Sequence, residues 1–151
     1  MTEQEVRALV AEVVVLRNSG QWREDDNALI ESGAALSSQV GREEVRERCE
    51  ELRALSPGQL ILQTDMETGS YFAPDGTAIP PLMALGASDS EELAEAWGHA
   101  VGLEGRRLGV DVTWSPVLDV NTNPDNPIIN VRAFGEDPEQ IGRLGAAMTR
   151  G

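Results

Sequence analysis

The chain has 151 residues, of which 40% are hydrophobic and 25% are charged, and its formal net charge is −14. This length suffices for one domain with a core, and the composition is ordinary for a soluble globular protein. The negative charge argues against nucleic acid and against an anionic membrane surface as partners, because both are polyanions.

The cysteine content and the N-terminal sequence narrow the class of protein further. Cys49 is the only cysteine, so the chain can form no internal disulfide and no metal-binding cluster of cysteine and histidine. The N-terminal sequence opens with acidic residues instead of a basic region, and Glu12 interrupts its apolar run. This pattern predicts neither a signal peptide nor a membrane span, and we therefore expect a cytoplasmic protein.

The first forty residues carry the weakest patterns. Apolar residues at three- and four-residue spacing predict a helix over residues 3–17, although the three valines at 13–15 also suit a strand. Further on, the pattern favours a short helix over residues 22–30 and a weak strand over residues 34–40.

From residue 42 onward, predicted helices and strands alternate. The pattern predicts an amphipathic helix over residues 42–55, a buried strand over 59–64, a helix over 89–108 and a strand over 110–118. A last helix begins at Pro138. Two clear strands and one weak strand, separated by helices, are typical of βαβ units with a parallel sheet.

Local signals predict how these helices begin and end. Residues 70–87 are predicted to be a loop because prolines interrupt them. Ser88 and Glu91 have the spacing of a capping box, Gly109 closes the helix that follows, and Asp137 caps the last helix. The side chains predicted to face the core from helix 89–108 are Leu93, Trp97, Val101 and Leu108.

Two long polar loops follow the clear strands. Asp65 and Asp119 stand at the ends of these strands, and the loop 121–138 contains Arg132 and the apolar Phe134. Loops longer than about 12 residues tend to be functional or disordered, and a disordered loop would rarely carry such apolar residues. In parallel α/β folds ligands bind beyond the carboxyl ends of the strands. We therefore expect two ordered loops that converge on one site.

Three runs of sequence carry a resemblance to a known family: LQTDMETG at 62–69, GTAIPPLMALGAS at 76–88 and GLEGRRLGVDVTWSPVLDVNTNPDNPIINVRAFGEDP at 102–138. Together they resemble the N-terminal barrel of glycoside hydrolase family 3, in the family's order and spacing, which is more specific than one short motif. The resemblance implies an α/β fold. Residues 1–151 would form the incomplete N-terminal portion of a TIM-type (β/α)8 barrel domain, with its first two or three β/α units only.

The resemblance implies roles for individual residues. Asp65 matches the aspartate of the family's D-x-E-G-G motif and Arg132 the arginine of its R-S-F-G motif, which implies that both bind the sugar. Asp119 matches the aspartate of P-V-L-D-V and is expected to contribute to the same substrate site, by orienting Arg132 or shaping the loop more than by direct sugar contact. Glu67 is expected to support its loop. Without the resemblance, Asp65 would be interpreted as a turn cap and Arg132 as a structural hydrogen-bond hub.

Departures from the family pattern limit what the chain is expected to do. Thr68 replaces the first glycine of E-G-G, and Ala133 replaces the usual serine. The family's Lys-His motif, nucleophile and acid/base residue would all follow Gly151, so the resemblance assigns no catalytic residue, no metal and no organic cofactor. A retaining glycosidase needs two carboxyl groups about 5–5.5 Å apart. We therefore expect the first part of an enzyme, inactive alone, whose uncovered barrel edges leave three alternatives: low stability, self-association, or a shape different from that of the parent.

The expected activity belongs to the full-length parent. By resemblance, it hydrolyses O-glycosyl bonds of an oligosaccharide or glycoside and releases terminal β-linked glucose or N-acetylglucosamine by a retaining mechanism. The alternative is a non-catalytic carbohydrate- or partner-binding protein. A phosphate-binding α/β enzyme is disfavoured, because the sequence has neither a glycine-rich phosphate loop nor a basic cluster. The preferred sugar and the oligomeric state stay open.

Overall fold

A computed structural model describes residues 2–3, 16–18, 33–36, 41–55, 60–71 and 73–151. These residues form a mixed α/β structure. The strands are β1 (Leu16–Asn18), β2 (Gly33–Leu36), β3 (Ile61–Thr64) and β4 (Val112–Thr113), and the helices are α1 (Arg42–Leu55), α2 (Leu82–Ser88), α3 (Glu91–Leu108) and α4 (Pro138–Arg150), with a 3-10 helix at Asn130–Arg132. The chain divides into two compact units, of which the second comprises Asp65–Tyr71, Thr77–Glu104 and Trp114–Gly151.

The first unit contains the sheet. Its four strands are all parallel and lie in the order β1-β2-β3-β4. In the register, Ala34 pairs with Leu62, and Gln63 pairs with Val112. Parallel pairing in sequence order is the arrangement that alternating strands and helices predict.

Helix α1 buries the predicted apolar stripe. Val45, Cys49 and Leu52 are all almost fully buried. Burial raises the pKa of the Cys49 thiol to about 11, because the thiolate would lose its hydration. Close to it, Gly109 has a φ of 85°, and a Cβ at this position would crowd Cys49. The predicted helix over residues 42–55 is thus confirmed, and so is Gly109 as the glycine that follows helix α3.

Other predictions for the first unit need correction. Strand β1 covers Leu16–Asn18, so the predicted helix is wrong at its last two residues, while residues 4–15 and 22–30 lie outside the described part of the chain. Strand β4 is shorter than the predicted strand 110–118, because only Val112 and Thr113 pair with β3. The sheet has four strands, where two clear strands and one weak strand were predicted.

Helix α2 in the second unit corrects the predicted loop over residues 70–87. Pro81 occupies the N-cap position, with φ −61° and ψ 156°, and its carbonyl accepts a hydrogen bond from the backbone N–H of Ala84 at 2.9 Å. Proline is compatible with a helix start, because the first backbone N–H groups need no partner inside the helix. The prolines therefore start the helix instead of preventing it.

The start of helix α3 also differs from the prediction. The hydroxyl of Ser90 accepts a hydrogen bond from the backbone N–H of Leu93 at 3.2 Å, whereas Ser88 donates to the carbonyl of Leu85 at 2.7 Å. Ser90, and not Ser88, is therefore the capping residue. Leu93 is exposed, contrary to the prediction, while Val101 is buried as expected.

Helix α4 begins as predicted. The carboxylate of Asp137 accepts a hydrogen bond from the backbone N–H of Glu139 at 3.0 Å, and Pro138 is the first helical residue. One face of the helix is buried through Ile141, Leu144, Gly145, Ala147 and Met148.

Hydrogen bonds fix α4 to the end of α2. Arg143 donates to the carboxylate of Asp89 at 2.6 Å, and the Gln140 amide donates to Asp89 and to the carbonyl of Gly86. The hydrogen bond from Arg143, helped by that from Gln140, lowers the pKa of Asp89. The described helices include none that is long and apolar enough to cross a membrane.

Candidate functional site

A cavity of about 310 Å³ lies within the second unit. This volume is at the lower end of the range for small-molecule sites, which is about 300–1,000 Å³. Its walls come from the loop after β3, the start of α2 and the 3-10 helix. The lining residues are Asp65, Glu67, Thr68, Tyr71, Pro81, Leu82, Val131 and Arg132. The two predicted loops therefore converge, and they bring Asp65 and Arg132 to one cavity.

A tight turn shapes the loop that carries Asp65 and Glu67. Gly69 has a φ of 74°, and a Cβ at this position would overlap the carbonyl oxygen of Thr77. The backbone N–H of Ile79 donates to the carbonyl of Thr68 at 3.1 Å, which ties the two sides of the turn together. Thr68 does not adopt a positive φ, so the turn accommodates this departure from the family motif, because only the second glycine of the motif needs the left-handed region.

Arg132 is held by a bidentate ion pair with Glu67. Its Nε donates to Oε2 of Glu67 at 2.8 Å, and its Nη2 donates to Oε1 at 2.6 Å. Its Nη1 donates to the carbonyl oxygen of Ile128 at 3.1 Å. The side chain of Glu67 is only 15% exposed, whereas that of Arg132 is 43% exposed. Two parallel charged hydrogen bonds fix the plane of the guanidinium as well as its position.

The surrounding charges keep Arg132 ionised. The hydrogen bonds from Arg132 to Glu67 raise the pKa of Arg132, and the negative charges of Glu67, Asp65 and Asp119 add to this effect, while partial burial opposes it. Both Asp65 and Asp119 are therefore near enough to influence the guanidinium electrostatically.

The two predicted aspartates differ in their position. Asp65 lines the cavity, and its exposed carboxylate has no hydrogen-bond partner among the residues that the structure describes. Asp119 is exposed and lies outside the lining. Asp119 was predicted to orient Arg132 or to shape the loop; within the described chain, Glu67 and the Ile128 carbonyl orient Arg132.

Asparagine side chains order the loop that leads to Arg132. The Asn123 side chain accepts a hydrogen bond from the backbone N–H of Asp125 at 3.1 Å, and the Asn126 side chain accepts one from Ile128 at 2.9 Å. Such Asx turns replace regular secondary structure as partners of the backbone. Asn123 and Asn126 thus supply hydrogen-bond partners to the backbone of this loop.

The chain beyond Arg132 is anchored in the core. Ala133 and Phe134 are buried, and helix α2 approaches so closely that a Cβ on Gly86 would overlap the carbonyl oxygen of Phe134. Ala133 stands where the family usually has serine. At a fully buried position, alanine leaves no hydroxyl in need of a partner, so this departure is compatible with the packing.

The apolar part of the cavity wall was not predicted from the sequence. Tyr71 and Val131 line the cavity, and both are exposed. Tyr71 follows the D-x-E motif by four positions and Val131 immediately precedes Arg132, so proximity to the motifs was the one available signal.

The cavity combines a carboxylate that can accept hydrogen bonds with a fixed guanidinium that can donate them. Both oxygens of Glu67 are already engaged by Arg132, which makes Glu67 unsuitable as a nucleophile. In the described part of the chain, no three histidine, cysteine, aspartate or glutamate side chains are grouped so that they could hold a metal ion. The arrangement is suited to a neutral polar ligand with several hydroxyl groups.

Comparison with known proteins identifies the family. The family described as Glycosyl hydrolase family 3 N terminal domain matches residues 23–151, and the chain belongs to this family. A beta-hexosaminidase of Thiobacillus denitrificans is 36% identical over 111 residues, which cover 68% of this chain and 31% of the relative.

Solved structures are similar over nearly the whole chain. The structure of Beta-glucoside phosphorylase BglX has a TM-score of 0.86 and 27% sequence identity, and the match covers 100% of this chain and 27% of that protein. A glycoside hydrolase family 3 beta-N-acetylglucosaminidase from Paenibacillus sp. str. FPU-7 has a TM-score of 0.84 and 29% identity over 99% of this chain and 30% of its own. The chain thus spans about a third or less of the length of these relatives.

Proposed function

We propose that this chain supplies the sugar-binding part of a glycoside hydrolase whose barrel is of the (β/α)8 type. Strands β1–β4 would be the first strands of that barrel, and residues 1–151 its N-terminal portion. The whole protein would hydrolyse O-glycosyl bonds and release terminal β-linked glucose or N-acetylglucosamine with retention of configuration. The observation that carries the proposal is the shared cavity of Asp65 and Arg132, in a chain that belongs to family 3.

Asp65 would accept hydrogen bonds from the sugar. An ionised carboxylate has two oxygens and can accept from two adjacent hydroxyl groups at once. Asp65 has no competing hydrogen bond within the described chain, so its oxygens are available to a ligand. Hydroxyl donors on neighbouring ring carbons match this arrangement.

Arg132 would donate to the sugar while Glu67 holds it in place. A guanidinium has five N–H donors, and three of them serve Glu67 and the carbonyl of Ile128. Two donors are therefore left for sugar oxygens. Because Glu67 neutralises the positive charge of Arg132, the pair suits a neutral ligand better than an anion.

The bond-breaking groups would come from the rest of the barrel. Retaining glycosidases need a nucleophilic carboxylate and a second carboxyl group about 5–5.5 Å away. In this chain Glu67 is committed to Arg132, and Asp65 is suited to hydroxyl recognition. Asp65, Arg132 and Asp119 would therefore act in substrate binding only.

The test is hydrolysis of aryl β-glucoside and aryl β-N-acetylglucosaminide by the 151-residue chain and by a longer chain that adds the remaining part of the barrel. We expect turnover by the longer chain only. Because one similar structure is a phosphorylase, inorganic phosphate is added in a parallel reaction. Formation of a glycosyl phosphate there would show that the enzyme catalyses phosphorolysis instead of hydrolysis. Robust turnover by the 151-residue chain, abolished by Asp119→Asn, would overturn these roles.

A matched pair of substitutions tests the binding role. We expect Asp65→Asn to lower kcat/KM of the longer chain roughly 10- to 100-fold, because hydrogen bonds to a charged group contribute about 1.5–3 kcal/mol. The control is Asp125→Asn, which alters an exposed aspartate outside the cavity lining and is expected to change kcat/KM less than twofold. Equal losses of kcat/KM in the two variants would count against a role of Asp65 in sugar binding.

A non-catalytic sugar-binding protein is the second candidate. The same cavity favours this candidate. Its lining can bind a sugar, but of its two carboxylates, Asp65 and Glu67, the second is already bound to Arg132, so the lining offers no free pair for catalysis. The intact mass of the native protein separates the two candidates, because the hydrolase requires a chain long enough to include the family's nucleophile.

A further inference from the structure

Tyr71 is an exposed aromatic side chain at the cavity of Asp65 and Arg132. Tyr71 is 54% exposed, and it is the one aromatic residue among the described lining residues of the cavity. Exposed aromatic residues beside a polar cavity often serve as binding surfaces, because they present large apolar area at little cost in conformational entropy.

The cavity has a deep end and a shallow end. Leu82 is fully buried, and the side chain of Glu67 is 15% exposed, so these residues lie at the deep end. Tyr71 and Val131 are 54% and 45% exposed and lie at the rim. The side chain of Arg132, which Glu67 fixes, is 43% exposed, about as much as Val131. Asp65 is exposed too, so both polar anchors lie at the rim with Tyr71 and Val131.

We propose that Tyr71, with Val131, forms the binding site for the aglycone, the group that leaves the terminal sugar. This inference depends on the proposed function, since it assumes that Asp65 and Arg132 hold the sugar. With the sugar held by these polar groups at the rim, the aglycone stays at the rim as well. There it meets the ring of Tyr71, which favours an aryl group or the apolar face of a second sugar. Tyr71 is thus a specificity-determining residue.

The sequence offers a direct probe, because Tyr71 is the only tyrosine in the chain. Protein labelled with 3-fluorotyrosine gives a single 19F signal that reports on the rim. The backbone amide signals of Asp65 and Arg132 report on the sugar. Both are followed by NMR while the chain is titrated with phenyl β-D-glucopyranoside or methyl β-D-glucopyranoside, and then with the corresponding N-acetylglucosaminides.

We expect both glycosides to shift the two amide signals and only the phenyl glycoside to shift the 19F signal substantially. In unlabelled protein, Tyr71→Ala is expected to weaken binding of the phenyl glycoside roughly three- to tenfold, the effect of one aromatic pair. Binding of the methyl glycoside is expected to change less than twofold. Tyr71→Phe, which keeps the ring, is expected to preserve the preference for phenyl.

Two results would overturn the inference, and they are distinguishable. If the glycosides shift the amides of Asp65 and Arg132 but Tyr71→Ala leaves the preference for phenyl intact, the aglycone site is wrong and the proposed function stands. If no glycoside shifts these amides, the proposed function fails, and the role of Tyr71 fails with it.

Discussion

The ion pair between Glu67 and Arg132 is predicted to contribute measurably to stability. Hydrogen bonds to charged groups contribute about 1.5–3 kcal/mol, whereas exposed ion pairs contribute about 0.2–1 kcal/mol. Glu67 is mostly buried and Arg132 is 43% exposed, so water screens the charge of Arg132 more than that of Glu67. Between these limits, we expect a coupling energy of about 1–2 kcal/mol.

A double-mutant cycle measures this coupling. The variants Glu67→Ala, Arg132→Ala and the double variant are compared with the parent by urea unfolding. Helix α1 provides a matched control, since Arg48 and Glu44 form an ion pair with the same N–O distance of 2.6 Å but a more exposed carboxylate. For this control we expect about 0.3–0.5 kcal/mol.

The comparison between the two cycles decides the outcome. A coupling between Glu67 and Arg132 no larger than the control value would show that Glu67 does not hold the guanidinium in place. In that case the bidentate geometry would have no energetic consequence, and Arg132 would reach the cavity for another reason.

Three further predictions test the packing and the electrostatics. Gly86→Ala places a Cβ against the carbonyl oxygen of Phe134 and is expected to lower the free energy of unfolding, measured in urea, by about 1–3 kcal/mol. The control Gly142→Ala meets no neighbour and is expected to raise it by about 0.5–1 kcal/mol. Equal effects of the two substitutions would contradict the close approach of α2 to Phe134. The hydrogen bond from Arg143 lowers the pKa of Asp89. The contribution of this hydrogen bond to stability is therefore present above about pH 4, the pKa of the unfolded state, and is lost as the pH falls through the pKa of the folded state. Asp89→Asn is therefore expected to lower the melting temperature at pH 7 and to have little effect near pH 2, and a difference that does not vary with pH would exclude this linkage. Burial raises the pKa of Cys49 to about 11, so a disulfide reagent is expected to label it slowly at pH 8 and rapidly in urea; rapid labelling of the folded protein would show that the thiol is accessible.

Local sequence signals predicted the bounds of a helix correctly where the residues that set the helical pattern are also those that are buried or cap the helix. Helix α1 has the predicted bounds because the apolar residues that define its period, among them Val45 and Leu52, are also the ones that pack. Helix α4 begins where Asp137 and Pro138 predict it, because a cap acts on the backbone next to it.

Predictions failed where tertiary structure chose between local alternatives. The same prolines that can break a helix can start one, and Pro81 starts α2. Ser88 and Ser90 both suit an N-cap, and the choice depends on where α2 ends. The length of β4 is set by its pairing with β3, which the apolar run 110–118 does not encode.

The candidate site was predictable only in part. The family resemblance singled out Asp65 and Arg132, and the structure brings them to one cavity; that they bind a sugar stays a prediction. The role of Glu67 could not be predicted, because it lies 65 positions from Arg132 and no local pattern links two charges at that separation. Tyr71 was missed because a single aromatic residue in a loop carries no periodic signal.

We propose above that Asp65 and Arg132 together bind a terminal sugar in the cavity of the second unit. A crystal structure of the protein with saturating glucose or N-acetylglucosamine tests this most directly. We expect sugar oxygens within about 2.6–3.2 Å of the Asp65 carboxylate and the Arg132 guanidinium, with the hydrogen bonds between Glu67 and Arg132 intact. A sugar bound elsewhere, or an empty cavity at saturating sugar, would contradict it.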